Sequence, residues 1–334
     1  MNQTASKTTS NYAMIATFYM LGAQLMFALV NFTYDVLTNP WNPMLEGEKL
    51  TSSSTVFWQY LLATVFILPL VFKIGLDKLK TRHPMLHEVR ALTSAIGAQV
   101  FVFGFASGVP VWQMIGLLLT GPFFVLIGSV LFLGERLTST RIAMSVLAFI
   151  GAFLIVGFGS DSFTAASLLP VVAAMLWSAT TLISKYLSRE ESAETLTLYL
   201  VLLISINHAI IGTALVLLAL FLPEGTLPTT LTSGIDFSFP TGNALWLILL
   251  LALITAASQY LLWSAYKLAD ASYLQPFDDL KLPINVLLGW IALSQVPTAW
   301  FWPGALLIVG ASLYIAAVEN RKSNRKIIKI PAKV

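Results

Sequence analysis

The chain contains no cysteine. Disulfides, zinc–thiolate centres and a cysteine nucleophile are therefore excluded. Histidine is almost as scarce: His83, His87 and His208 are all there is, which leaves little material for a metal centre. Asp, Glu, Lys and Arg make up 10% of the 334 residues, against about 25% in an average soluble domain. No G-x-x-x-x-G-K-[ST] run occurs, so no phosphate-cradling loop of an ATPase is present. The opening stretch "MNQTASKTTSNYA" lacks a basic region and a small-residue cleavage site, so the apolar run after it reads as a retained span. No cofactor is implied.

What is abundant is hydrocarbon. The chain is 57% hydrophobic, with a mean hydropathy of +0.80, the composition of a polytopic membrane protein. A membrane-crossing helix needs about 20 apolar residues. Ten such segments can be drawn: 14–37, 55–74, 89–108, 111–133, 141–157, 167–187, 195–221, 244–268, 271–294 and 299–318. Unbroken runs such as "LWLILLLALITAASQYLLW" lack the strict alternation of a transmembrane barrel.

Lysine and arginine set the orientation. With the N-terminus in the cytoplasm, 17 of the 19 basic residues fall inside, leaving Lys49 outside and Lys281 within a span. Both termini are thus cytoplasmic. The basic tail "NRKSNRKIIKIPAKV" reads as a positive-inside anchor touching anionic lipid, not as a nucleic-acid patch.

The two halves of the chain resemble each other. "PFFVLIG" (122–128) matches "PINVLLG" (283–289), and "FIGAFLIVG" (149–157) matches "IVGASLYIA" (308–316). More loosely, "LMFALVNFTYDVL" (25–37) matches "MLWSATTLISKYL" (175–187). The seam lies at "GFGSDSF", after the fifth span. Five is odd, so the halves enter the membrane from opposite sides. Two near-equivalent inverted halves are the signature of carriers that open to either side in turn. The chain divides into a cytoplasmic tail (1–13), a first five-helix repeat (14–160), a second (161–319) and a basic tail (320–334).

At this point a family resemblance enters. The stretches "TGPFFVLIGSVLFLGERLTSTR" and "GAFLIVG", with "LPINVLLGWIALSQVPTAWFWPGALLIVGASLYIAAVE" in the second half, resemble the drug/metabolite transporter superfamily, EamA type. Gln295 stands where the second Glu of the family pattern is usual, and Gln59 stands near where many members have Arg. The resemblance implies an inner-membrane carrier without ATP hydrolysis. It also implies a central cavity lined by spans one, three, four, six, eight and nine.

An ionisable group at the bilayer centre costs roughly 2.5–3.5 kcal/mol on insertion scales, so each exception needs a reason. The ninth span carries "QPFDDLKLP" (275–283). At 100° per residue, Gln275, Asp278, Asp279, Lys281 and Asn285 fall within an arc of about 160°, while Phe277, Leu280 and Ile284 face the other way. Their repeat partners in span four, Leu117, Leu118 and Thr120, are uncharged, so the shared scaffold does not require the charges. Asp278 and Lys281 are three apart and can pair along a helix. Pro283 removes a donor and displaces the Asp279 carbonyl. Two readings stay open: a closed salt bridge with a snorkelling remainder, or a cavity wall that binds substrate or a proton.

Further polar and aromatic candidates are Gln24, Asn31 and Tyr34 on span one and Gln99 on span three. Trp177, Thr181 and Ser184 on span six, Gln113 on span four, and Gln259, Tyr260 and Trp263 on span eight complete the set. Such a mixture of aromatic walls and a few directed polar groups suits a small-molecule site. Each of them alone is also explained by an interhelical hydrogen bond. Asp35 reads as a rim charge at the outer end of span one. His208 reads as a proton site or a packing residue, and Glu135 with Arg136 as structural. Gly151, Gly157, Gly304 and Gly310 point to close helix packing, within one chain or in a homodimer.

The expected function is secondary transport of a small organic solute across the lipid bilayer by alternating access. A cationic or zwitterionic solute and proton coupling are the refinements that two acids against one lysine suggest. A channel or lipid scramblase, and an intramembrane enzyme, are the rival classes.

Overall fold

The computed structural model describes residues 2–45, 47–75, 79–133, 139–156, 164–223, 239–269, 274 and 277–328. Among these there is no β-strand. The helices are α1 (Asn2–Thr38), α2 (Ser52–Ile74), α3 (Pro84–Ala106), α4 (Val111–Leu118), α5 (Gly121–Leu133), α6 (Ser139–Val156), α7 (Leu169–Leu187), α8 (Ala193–Phe221), α9 (Gly242–Leu268), α10 (Lys281–Leu293) and α11 (Phe301–Ile328). Six stretches are long and apolar enough to cross a bilayer: Met14–Thr38, Ser52–Lys73, Pro84–Ala106, Ala165–Leu187, Ala193–Ala214 and Gly242–Leu268. Four shorter apolar helices, Val111–Val125, Ile142–Val156, Lys281–Leu293 and Phe301–Ile315, complete the ten. Spans one to three are thus α1 to α3, span four is α4 with α5, and spans five to eight are α6 to α9. Span nine is α10 with the turn before it, and span ten is α11. This is an all-α polytopic membrane protein.

Local chemistry sets several of the ends. The Thr51 hydroxyl accepts from Ser54 N at 3.1 Å and caps α2, and Ser192 does the same for α8 through Thr195 N at 3.1 Å. Pro84 opens α3, where its missing N–H would have no helical partner. Gly75, at φ 93°, ends α2 in a conformation that a side chain disfavours.

Spans four and nine depart from the continuous helices expected over 111–133 and 271–294. Each is broken by a two-residue turn, at residues 119–120 and 279–280. Pro122 and Pro283, the shared prolines of the repeat, lie two and three residues beyond these turns. Pro283 has no N–H to offer the Asp279 carbonyl, which accepts instead from Leu282 N at 3.1 Å, one residue early. In span four, Leu117 O likewise accepts from Thr120 N at 3.1 Å. Asp278 and Asp279 therefore lie at a break in the membrane and not partway along a helix. Irregular backbone at this depth is tolerated where protein covers it.

The packing obeys one exchange rule. Swapping span one with six, two with seven, three with eight, four with nine and five with ten maps the principal contacts onto one another. Span one packs on eight as six packs on three; two packs on eight as seven packs on three; one packs on nine as six packs on four. Two with seven, four with nine and five with ten are pairs that map onto themselves. Hydrogen bonds give the directions. Gln24 meets Asp278 and Asn31 meets Asn285, so spans one and nine run parallel. Arg90 meets Ser184 and Thr93 meets Thr180, so spans three and six run antiparallel. Both agree with the parity of a ten-span chain. The boundary drawn between residues 160 and 161 lies outside the described residues.

The glycines of spans five and ten act within one chain. A Cβ on Gly151 would lie 2.6 Å from Gly304 O, and a Cβ on Gly304 would lie 2.6 Å from Gly151 O. Only hydrogen at both positions lets the backbones approach this closely. Gly310 has open space around it, and Gly157 lies outside the described residues.

Candidate functional site

Spans one and nine face each other through two polar rungs one heptad apart. In the first, Gln24 Nε2 donates to Asp278 Oδ1 at 3.0 Å, while Lys281 Nζ donates to Asp278 Oδ2 at 2.8 Å. The carboxylate is thus held on both oxygens. The Lys281 and Asp278 side chains are 21% and 19% exposed, so this is a largely covered pair and not a snorkelling one. In the second, Asn31 Nδ2 donates to Asn285 Oδ1 at 3.0 Å, and Asn285 Nδ2 donates to Lys281 O at 2.6 Å. Asn285 is fully buried and Asp279 nearly so. The pairing of Asp278 with Lys281 read from their spacing is present. Gln275 lies outside the described residues, as do Glu135 and Arg136.

Tyr34 sits one turn further along span one. Its hydroxyl donates to Gln59 Oε1 at 2.7 Å, and Gln59 Nε2 donates to Thr255 Oγ1 at 2.7 Å. Spans one, two and eight are joined by this chain of bonds. The Tyr34 ring packs edge-on against Phe101 (6.4 Å between centroids) and beside Phe105 (6.1 Å), and Phe101 touches Trp177 at 5.0 Å. Trp177 Nε1 donates to Ser94 O at 3.3 Å. A Cβ on Gly97 would come within 2.8 Å of that indole, so the glycine makes room for the ring. An aromatic column thus runs from span one through span three to span six.

Gln99 belongs to a different cluster. Its amide donates to Ser52 and Ser53, and its Oε1 lies 2.9 Å from His208 Nε2. Gln99 is spent on tying span three to spans two and seven, and His208 meets it through Nε2 alone.

Two residues stand elsewhere than the sequence suggests. Asp35 is not a rim charge: it is fully buried. It accepts from Asn39 Nδ2 at 2.9 Å, Asn42 Nδ2 at 2.7 Å and Gln295 Nε2 at 3.2 Å. Gln295 Oε1 in turn accepts from Val111 N at 2.7 Å. The outer ends of spans one, four and nine are fastened together here. Gln295 makes contacts that a carboxylate could not, because it donates to Asp35 and accepts from Val111 through one amide.

Arg90 is the second. By sequence it counts among the 17 inner basic residues, yet it is fully buried, the largest side chain so covered among the described residues. Its Nη1 donates to Ser184 Oγ at 3.1 Å and its Nη2 to Leu196 O at 2.7 Å, with His87 Nδ1 at 3.2 Å. Arginine can only donate, so His87 carries its proton on Nε2, which lies 2.7 Å from Glu191 Oε2. Thr81 donates to the other Glu191 oxygen, and Lys267 Nζ to the Glu191 carbonyl at 2.8 Å. The Arg90 guanidinium lies 5.8 Å from the centroid of Trp263. Tyr260, one turn before Ser264 on the same helix, reaches Glu194 at 3.5 Å. The signal for Arg90 was its place one residue inside the third apolar run, where a loop charge has no business.

The arrangement thus has two fastened ends and, between them, an aromatic and amide-lined middle where two pseudo-equivalent halves meet. That defines a membrane carrier of small molecules. Comparison with known proteins agrees. The model of the EamA-like transporter family matches residues 14–157. The chain is 40% identical to a riboflavin transporter of Rhizobium johnstonii, over 97% of this chain and 98% of that protein. It is 37% identical to a riboflavin transporter of Vibrio cholerae, over 92% and 95%. An S-adenosylmethionine uptake transporter of Rickettsia felis is 26% identical over 84% and 88%. One crystal structure superposes with a TM-score of 0.58 at 15% identity, over 93% of this chain and 98% of that one, a likeness of fold alone. The chain belongs to the EamA-like transporters of the drug/metabolite transporter superfamily. It is a transporter of small metabolites and not an enzyme.

Proposed function

We propose that this protein carries riboflavin across the inner (plasma) membrane by alternating access between its halves, 14–160 and 161–319. The observation that carries the proposal is the likeness to two riboflavin transporters over more than nine-tenths of the chain. The chemistry of the middle supports it. Riboflavin is an uncharged, planar tricyclic ring with a polyhydroxyl tail. Aromatic faces at Tyr34, Trp177 and Tyr260 suit the ring, and the amides of Gln24 and Asn31 suit the tail. Asp278 and Lys281 neutralise each other, so the pair presents no net charge to a neutral solute. In this reading Asn285 holds the helix break, and Asp279 is the group to examine for proton coupling.

The test is counterflow in liposomes holding the purified chain. Saturable exchange of labelled riboflavin is expected, with no ohmic current and no lipid flip-flop. Exchange of S-adenosylmethionine without exchange of riboflavin would replace the substrate. Unchanged pH dependence in Asp279→Asn would remove Asp279 from any proton coupling.

A further inference from the structure

Buried polar atoms almost always have partners, and those without one ask for an explanation, commonly an absent ligand or water. Four such atoms lie toward the inner halves of spans one, three and eight: Arg90 Nε, Trp263 Nε1, Gln259 Oε1 and Gln24 Oε1. Arg90 is fully covered and Trp263 is 6% exposed. The two are neighbours, with the guanidinium 5.8 Å from the indole centroid. Gln259 precedes Trp263 by four residues and shares its helix face. Gln24 is brought to the same level, since a Cβ on neighbouring Gly22 would touch Leu261 at 3.3 Å.

The orientation of Arg90 is fixed by its other nitrogens. Ser184 Oγ holds Nη1, and Leu196 O with His87 Nδ1 holds Nη2. The one nitrogen left without a partner is Nε. Gln24 is fixed in the same way: its amide nitrogen donates to Asp278 and contacts Met20 Sδ at 3.1 Å, leaving the carbonyl. The cluster therefore offers two immobilised donors and two acceptors in a dry interior. A guanidinium and an indole N–H are both donor-only groups, so no rotamer or tautomer of the protein makes them satisfy each other.

We infer that this cluster reads the pyrimidine-dione edge of the substrate, an assignment that rests on the riboflavin reading above. That edge presents C2=O, N3–H and C4=O, in the order acceptor, donor, acceptor. Arg90 Nε–H and Trp263 Nε1–H are the donors for the two carbonyls, and the Gln259 carbonyl accepts from N3–H. The Gln24 carbonyl remains for the tail. The Watson–Crick edge of the adenine in S-adenosylmethionine offers one amino donor beside one ring acceptor, so that edge satisfies only one of the two protein donors. A site built on buried donors discriminates strongly, because the wrong ligand leaves them unpaired.

Competition against riboflavin transport in liposomes tests the assignment. N3-methylriboflavin keeps the ring and tail but loses N3–H, and it should compete at least tenfold less well than riboflavin against the wild-type chain. Trp263→Phe keeps an aromatic face beside Arg90 but removes the indole N–H, and should raise the riboflavin KM about tenfold. Gln259→Leu should narrow the gap between riboflavin and its N3-methyl analogue, a ratio that mere loosening of the fold would not change. Equal competition by the two flavins in a wild-type chain that transports riboflavin overturns the edge assignment and leaves the carrier reading intact. No riboflavin transport by the wild-type chain overturns both.

Discussion

Two interfaces in this molecule are related by the exchange of its halves, and they have been filled with opposite chemistry. Span one on span nine is polar: Gln24 meets Asp278 and Asn31 meets Asn285. The repeat correspondence puts Ala174 and Thr181 on span six where span one has Gln24 and Asn31. It puts Leu117 and Phe124 on span four where span nine has Asp278 and Asn285. Yet spans four and nine break at matching places before matching prolines. The broken backbone is therefore scaffold. The carboxylates, the lysine and Asn285 are additions of the second half, and the Gln24 and Asn31 amides that meet them are additions of span one. In a symmetric carrier, a substrate without symmetry requires such one-sided additions, and the interface that carries them is where chemistry is to be sought.

The largest effect should come from forcing the charge of one interface onto the other. Thr120 occupies the place of Lys281 and is 1% exposed. Its repeat partners for Asp278 and Gln24, Leu117 and Ala174, offer no carboxylate. Thr120→Lys buries an unpaired ammonium, which should destabilise the fold by about 3 kcal/mol or more. Thermal unfolding in detergent measures this, and near-wild-type stability would show that span four tolerates what only span nine should.

Breaking the native pair should cost less. Lys281→Met leaves Asp278 with the Gln24 amide alone. The pair is about one-fifth exposed, so we expect about 2–3 kcal/mol, below the range for a fully buried pair. Asp278→Asn combined with Lys281→Met should recover most of the loss, because no charge is then stranded. A double-mutant cycle on unfolding midpoints separates the pair from its members. A double variant as unstable as Lys281→Met alone would mean that the stranded charge is not the cause.

The second rung is neutral and should matter less again. Asn31→Leu strands the Oδ1 of fully buried Asn285, at about 1–2 kcal/mol. Asn31→Leu with Asn285→Leu converts the rung toward the apolar state of its twin and should be more stable than the sum of the single losses. The same cycle checks this. A double variant that loses transport but keeps its fold would place Asn31 or Asn285 in the solute's path.

Much of this was legible in the chain itself. The ten spans, their parity and the two repeats follow from hydropathy and from the "PFFVLIG" and "PINVLLG" pair. The Asp278–Lys281 pairing follows from a spacing of three. What the sequence concealed has physical causes. Pro122 and Pro283 announce weakened helices, but whether a proline kinks a helix or ends it depends on packing around the freed carbonyl. Asp35 lies near an apparent membrane edge, and hydropathy cannot see the loop asparagines, Asn39 and Asn42, that fold back over it. Arg90 sits at the margin of its span, where one turn separates a loop charge from a buried one. Its burial depends on acceptors contributed by Ser184 and Leu196, nearly a hundred residues or more away. Gln99 and Gln24 are the same residue type on helices that both line the centre. Only the neighbours show that Gln99 is consumed by Ser52, Ser53 and His208.

The smallest effect belongs to the polar contact that the apolar interface does possess. Ser178 Oγ on span six lies 2.9 Å from Gly121 O, at the start of α5, and 2.6 Å from Ala174 O on its own helix. A hydroxyl has one proton, so the two carbonyls compete for it, and the shorter bond is the local one. Gly121 O also lies at a helical position, where an amide of the next turn can reach it. Removing the hydroxyl therefore strands neither carbonyl. Ser178→Ala should cost less than about 1 kcal/mol and leave the kinetics of solute transport unaltered. If its unfolding midpoint fell as far as that of Asn31→Leu, span six would depend on the Ser178 hydroxyl as span one depends on its amides. The two interfaces would then differ in residue type but not in the work their polar groups do, and the interface of spans one and nine would lose its standing as the chemical one.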